Sequence, residues 1–111
     1  MADLVEDDDD VVIAAITAAE LLVGVKLADR RRRSARQKFV EAIIAEIPIE
    51  PYDVDVARSH AILLAEVRRT GRPRGAHDLM IGATALARGR TVVTSNASHF
   101  EDLPGLLVHG V

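Results

Sequence analysis

His77-Asp78-Leu79-Met80-Ile81-Gly82-Ala83-Thr84-Ala85-Leu86-Ala87-Arg88-Gly89-Arg90-Thr91-Val92-Val93-Thr94 reads as one helix and one strand joined by a glycine. Residues 77–88 are alanine-rich, and Gly89 is a helix stop. Residues 91–94 form a short β-branched run of the buried, parallel type. The same alternation extends toward the N-terminus. Residues 11–15 predict a buried strand, and Thr17 offers an N-cap with Glu20 at capping-box spacing for a helix through Leu21 and Val25. Residues 28–46 have helical periodicity with Phe39, Val40, Ile43, Ile44 and Ile47 as the apolar stripe, and Pro48 ends them. Residues 47–52 are a short strand broken by Pro48 and Pro51. Asp53 caps a helix over 54–70 that buries Val56, Ala57, Ile62, Leu63 and Val67, and Gly71 closes it. Toward the C-terminus, 95–101 is a turn and 106–109 a last strand. Residues 2–10 read as the end of a helix running into an acidic turn. Strands alternating with helices imply a parallel sheet with helices on its faces.

The bulk composition bounds the rest. A chain of 111 residues makes one domain, residues 1–111. The absence of cysteine excludes a disulfide scaffold and a thiolate zinc site, and a reducing, cytoplasmic setting is expected. No run reaches membrane-spanning length, so no membrane partner is expected. Aromatics are 3% of the residues, too few for a base-stacking surface. Net charge is -3, yet it is unevenly placed: Asp7 to Asp10 are acidic and Arg30 to Arg33 basic. The arginines make either a solvated helix face or a set of forks for RNA phosphates, with Arg31, Arg32 and Arg74 as candidate contacts.

Two carboxylates stand alone in apolar surroundings. Glu20 sits in Ile16-Thr17-Ala18-Ala19-Glu20-Leu21-Leu22-Val23-Gly24, and Asp78 in Gly75-Ala76-His77-Asp78-Leu79-Met80-Ile81. Carboxylates are rarely buried unless paired or bound to a metal. In an open α/β sheet the site lies at the carboxyl ends of the strands. Glu20 follows the first strand, Thr94 and Asn96 follow a later one, and Asp78 opens a helix facing the same edge. Hard oxygen donors of this kind suit Mg²⁺ or Mn²⁺. Simpler readings stand beside these. Glu20 could be only a capping-box acid, Asp78 a partner for Arg72 or Arg74, and Thr94-Ser95-Asn96 a strand-ending turn. His77 reads as a helix-entry residue, His99 as a solvated histidine or a substitute ligand, and His60 and His109 as surface residues.

Three segments in register resemble the PIN domain, specifically the VapC-type toxins of VapBC toxin–antitoxin modules. They are residues 16–24, residues 74–83, and Val92-Val93-Thr94-Ser95-Asn96-Ala97-Ser98-His99-Phe100-Glu101-Asp102-Leu103-Pro104-Gly105-Leu106. The resemblance implies a PIN-like three-layer α/β/α fold. It implies a Mg²⁺-dependent (or Mn²⁺-dependent) endoribonuclease that cuts RNA, is held in check by a cognate VapB-type antitoxin, and forms a homodimer. It places Glu20 and Asp78 at the metal, with Thr94 and Asn96 supporting the site. Two positions depart from the family pattern. The opening strand with its first aspartate has no counterpart, so the chain reads as N-terminally incomplete with its first strand missing. His99 stands where an acid is common.

Two functions therefore remain open: the ribonuclease, or a truncated and catalytically inactive PIN domain that binds antitoxin or dimerises. The helices over 28–46 and 54–70 are the expected walls of an antitoxin groove. A gap at the sheet centre would leave strand edges unpaired and apolar surface exposed. A CheY-like receiver fits poorly, because the only lysines are Lys26 and Lys38.

Overall fold

A computed structural model describes residues 3–5 and 11–111. The acidic run Asp7 to Asp10, on which part of the first-helix reading rests, lies outside the described residues. The strands are β1 (Asp3–Val5), β2 (Val11–Ala14), β3 (Ile49–Glu50), β4 (Thr91–Thr94) and β5 (Leu107–Gly110). The helices are α1 (Ala15–Leu27), α2 (Arg30–Glu46), α3 (Val54–Thr70) and α4 (Ala76–Arg88), and a 3-10 turn spans Ala97–His99.

The five strands form one sheet in the order β3-β2-β1-β4-β5. The outer pairs, β2 with β3 and β4 with β5, are parallel as the alternating pattern requires. The centre differs from the sequence reading. Asp3–Val5 is a strand and not a helix end, and it lies antiparallel between β2 and β4. The expected gap is therefore filled. Leu4 pairs with Val12 on one side and Val92 on the other. A three-residue segment carries no periodicity of its own, so two flanking edges with unmet N–H and C=O groups decide its state.

The α/β architecture follows from which residues lose solvent. Val12, Ile13 and Ala14 are successive and all buried. Alternate residues of a strand face opposite sides, so both faces of β2 are covered. On one side Val12, Ala14 and Val92 pack against Ile81 and Ala85 of α4, with Phe100 closing the cluster. Behind α4, Val56 and Leu63 of α3 meet Leu79, Ala83 and Leu103 in a second cluster. Gly82 permits that approach: a Cβ there would lie 3.3 Å from Leu106 Cδ2 and 3.4 Å from Leu63 Cδ1.

Local chemistry sets most helix ends. The Asp53 side chain accepts from Val56 N–H at 3.1 Å, and Asp29 accepts from Arg32 N–H at 3.0 Å. Gly89 ends α4 at φ 64°, a left-handed conformation that glycine adopts without strain. The start of α1 is a correction. Its N-cap is Ala14, with no side-chain cap, so Thr17 lies inside the helix and the capping-box reading of Thr17 and Glu20 fails. Ile62 also departs from expectation and is 57% exposed. Arg88 ties the sheet end to two helices, donating to Glu50 at 3.0 Å and to Asp53 at 2.6 Å. That guanidinium holds the Asp53 carboxyl below its usual 3.8, helped by the Val56 amide.

Candidate active site

Glu20, His77, Asp78, Thr94, Asn96 and His99 line one cleft of about 490 Å³, with Phe100 and Ile81 in its wall. The four residues singled out from sequence, Glu20, Asp78, Thr94 and Asn96, come from α1, α4 and the segment leaving β4. Their convergence follows from the topology. Helix α1 continues directly from the end of β2, and the chain leaves β4 at Thr94, so both elements reach the cleft from strand ends. Asp78 is in the first turn of α4, which Gly75 opens without a side-chain cap. Helix N-termini carry unmatched N–H groups and partial positive charge, a favourable place for a carboxylate.

Thr94 is buried, and its hydroxyl accepts from the Asn96 N–H at 3.0 Å. That bond fixes the turn out of β4 and leaves Asn96 exposed at the cleft. Among the described residues no arginine pairs with either acid. Arg72 meets Asp102 at 3.4 Å, so the alternative of an Arg72–Asp78 or Arg74–Asp78 pair is not what the fold makes. Asp78 Oδ2 lies 3.1 Å from His99 Nδ1, and Glu20 Oε1 is in contact with His77 Nδ1. His77 is thus a cleft residue that the sequence reading passed over as a helix entry. Its only sequence signal was its place beside Asp78. His99 was read as solvated or as a substitute ligand, and it holds the Asp78 carboxylate.

The basic candidates separate. Arg74 is half-buried and donates to the Glu101 carbonyl at 3.0 Å, bracing the entry to α4 against the segment after His99. Arg31 and Arg32 are exposed on α2. Arg32 lines a second, larger groove of about 610 Å³ between α1 and α2, with Thr17, Leu21, Arg36 and Phe39. Glu20 borders both hollows. Helix α2 packs on α1 and α3 on α4, so the apolar groove lies between α1 and α2 and not between α2 and α3 as the sequence suggested.

The cleft offers two carboxylates and two imidazoles, each acid paired with one histidine. The donors come in pairs. Among the described residues no three His, Asp or Glu side chains are grouped closely enough to hold an ion between them.

The sequence profile of the PIN domain matches residues 1–106. The chain is 36% identical over 98 residues to a protein of Salmonella typhimurium described as "tRNA(fMet)-specific endonuclease VapC", covering 86% of this chain and 71% of that one. A protein of Shigella flexneri with the same description is 33% identical over 94 residues, covering 85% and 70%. Among solved structures, DNA-bound VapBC of Salmonella typhimurium superposes with a TM-score of 0.82 at 32% identity, covering 87% of this chain and 72% of that one. A member of the VapBC toxin–antitoxin family from Mycobacterium tuberculosis gives 0.80 at 29% identity, covering 90% and 81%.

Proposed function

This chain belongs to the PIN-domain family, in its VapC branch, and on that footing we propose that the cleft between α1, α4 and β4 cuts RNA phosphodiesters as the endoribonuclease toxin of a VapBC module. One observation carries the reading: Glu20 and Asp78, far apart in sequence, line a single cleft beside the Thr94–Asn96 turn. PIN nucleases use a divalent metal, and Glu20 and Asp78 are the residues that would hold it, with Mg²⁺ or Mn²⁺ suited to their oxygens. When bound, such an ion lowers the pKa of a coordinated water and offsets charge on the phosphate.

The chain's own side chains do the rest. The two carboxylates, each held by a histidine, set a negative field at the cleft that a bound cation would offset for an RNA backbone. Asn96, held out by the Thr94 hydroxyl, offers an amide donor for a phosphate or ribose oxygen. Phe100 and Ile81 form the apolar wall that limits water around the reacting group. Arg31 and Arg32 lie outside the cleft on α2, where they would meet flanking phosphates.

An antitoxin of the VapB type is the partner of this branch, and the α1–α2 groove is its seat in this reading. Leu22, Leu27 and Phe39 expose apolar surface on those two helices, and Arg32 and Arg36 line the groove with a basic edge. An amphipathic segment carrying acidic residues matches that surface. Tyr52, Val54 and Ile62, exposed at and beside α3, support a homodimer contact away from it. No helix among the described residues is long and apolar enough to cross a membrane, and a cytoplasmic site of action fits an RNA substrate.

The test is cleavage of end-labelled RNA, including a panel of tRNAs, by the purified chain. Cleavage that EDTA stops, that Mg²⁺ or Mn²⁺ restores, and that Asp78→Asn and Glu20→Gln each reduce at least about a hundredfold with unchanged circular dichroism supports the assignment. Cleavage indifferent to both substitutions overturns it. The inactive-module reading draws on the pairwise donor set, and an EDTA-sensitive cut lost in Asp78→Asn excludes it.

A further inference from the structure

The groove between α1 and α2 opens beside the cleft, and Glu20 stands on the border of both. Its chemistry is the opposite of the cleft's. Arg32 and Arg36 are about one helical turn apart on α2, and both line it. Among the described residues neither guanidinium makes a hydrogen bond or an ion pair. Helices α1 and α2 pack on each other through a short connection and run in opposite directions. Arg36 lies against α1 at Gly24, where an added Cβ would stand 3.4 Å from its Nη1. That contact sets the register. One turn back along α1 from Gly24 is Glu20, and one turn onward along α2 from Arg36 are Phe39 and Val40. Phe39 therefore flanks the cleft end of the groove, and the two arginines follow away from it.

Phe39 is also the aromatic ring left open. Phe100 is 1% exposed and Tyr52 is bonded to His60, whereas Phe39 is 65% exposed. One ring cannot pave a platform for a whole strand, but it is enough for one base. Stacking on an aromatic face is open to any unpaired base, and guanidinium forks hold phosphate oxygens. A ring followed by two unmet guanidiniums thus matches a nucleotide strand leaving the cleft, a base first and phosphates after it. We propose that this groove is a subsite for single-stranded RNA. The nucleotide beside the scissile phosphate stacks on Phe39, and the phosphates beyond it meet Arg36 and then Arg32. The inference rests on the cleft being the cutting site and deepens that reading by naming the substrate class. Bases inside a duplex have no open face to offer, so the RNA taken here is unpaired. An antitoxin segment seated in the same groove displaces that flanking strand.

Phe39 is at the surface, so its replacement leaves the core intact. The experiment uses the full chain and a short fluorescent oligouridylate carrying one 5-iodouracil, in EDTA so that a metal-dependent cut does not consume the probe. Binding is read by fluorescence anisotropy, and the photo-cross-link of the iodouracil is mapped by mass spectrometry. Phe39→Leu is expected to weaken single-strand binding at least about fivefold, and Phe39→Trp to restore it. Binding of the same strand annealed to oligoadenylate is expected to be indifferent to Phe39→Leu. Arg36→Gln is expected to lower the slope of log K against log salt by about 0.7. The cross-link is expected on Phe39. Single-strand binding unchanged by Phe39→Leu, a slope unchanged by Arg36→Gln, or a cross-link confined to other residues overturns the proposal. A chain that cuts RNA with the same KM in Phe39→Leu overturns this inference alone. A chain that binds the strand through Phe39 but cuts no RNA overturns the nuclease assignment and leaves the subsite standing.

Discussion

Replacing Thr17 by valine should make this protein more stable. Thr17 is 1% exposed inside α1, and its hydroxyl has no hydrogen-bond partner among the described residues. A buried donor left unmade costs about 1–3 kcal/mol of desolvation. Valine keeps the branched shape and replaces the hydroxyl with a methyl group, at similar helix propensity. The expected gain is about 1–2 kcal/mol. For a chain of 111 residues, with an unfolding entropy of about 2.1 cal/mol/K per residue, that raises Tm by about 4–9 °C. Alanine removes the same hydroxyl but also a methyl group, which forfeits about 1 kcal/mol of burial. Thr17→Ala should therefore fall near the natural chain and about 1–2 kcal/mol below Thr17→Val. Urea denaturation followed by circular dichroism, with the m-value checked for constancy, measures both. A Thr17→Val midpoint below the natural one would refute the reasoning, because the hydroxyl would then be making a favourable bond.

Other expectations follow from the same geometry. Gly82→Val forces branched carbons toward Leu106 and Leu63 and should cost about 1–3 kcal/mol by overpacking, read as a lower urea midpoint. Asp53 is held below its usual 3.8 by Arg88, so its stabilising contribution is complete above that value and is lost as pH falls through the folded-state value. Acid titration of the denaturation midpoint should therefore drop below pH 3.8, and Asp53→Asn should flatten that part of the curve. If Arg31 and Arg32 meet phosphates, replacing both with alanine should reduce the slope of log K against log salt for RNA binding by about 1.4, whereas Arg74→Ala, which removes a brace, should leave the slope unchanged. A change of slope in Arg74→Ala would return that residue to the RNA surface.

What the sequence made legible was local. Asp53, Gly71 and Gly89 mark helix ends through their own backbone and side-chain chemistry, and α3 ends where they place it. The β-branched runs at β2 and β4 announce buried strands because nothing else suits a pleated, doubly covered surface. Glu20 and Asp78 stood out because a lone acid in an apolar run needs a reason. Thr17 misled because capping-box spacing is only a coincidence of residue types when the helix starts a turn earlier. Asp3–Val5 could not be read as a strand, since its state is set by edges supplied from elsewhere in the chain. The pairing of His77, and the partner of His99, escaped for a related reason. Their partners, Glu20 and Asp78, sit on other elements, and no spacing along the chain encodes that reach.

The central strand has a consequence for the order of events during synthesis. Asp3–Val5 is made well before one of its two partners, Thr91–Val93, which lies more than 80 residues further along the chain. Closing so long a loop is the slow, non-local step of folding. On the ribosome β2, α1, α2 and α3 can assemble while β1 waits for β4. Strand β4 and the turn that leaves it also deliver Thr94 and Asn96 to the cleft. Pairing of β1 with β4 and placement of Thr94 at the cleft are thus coupled, because Thr94 closes the strand that β1 pairs with.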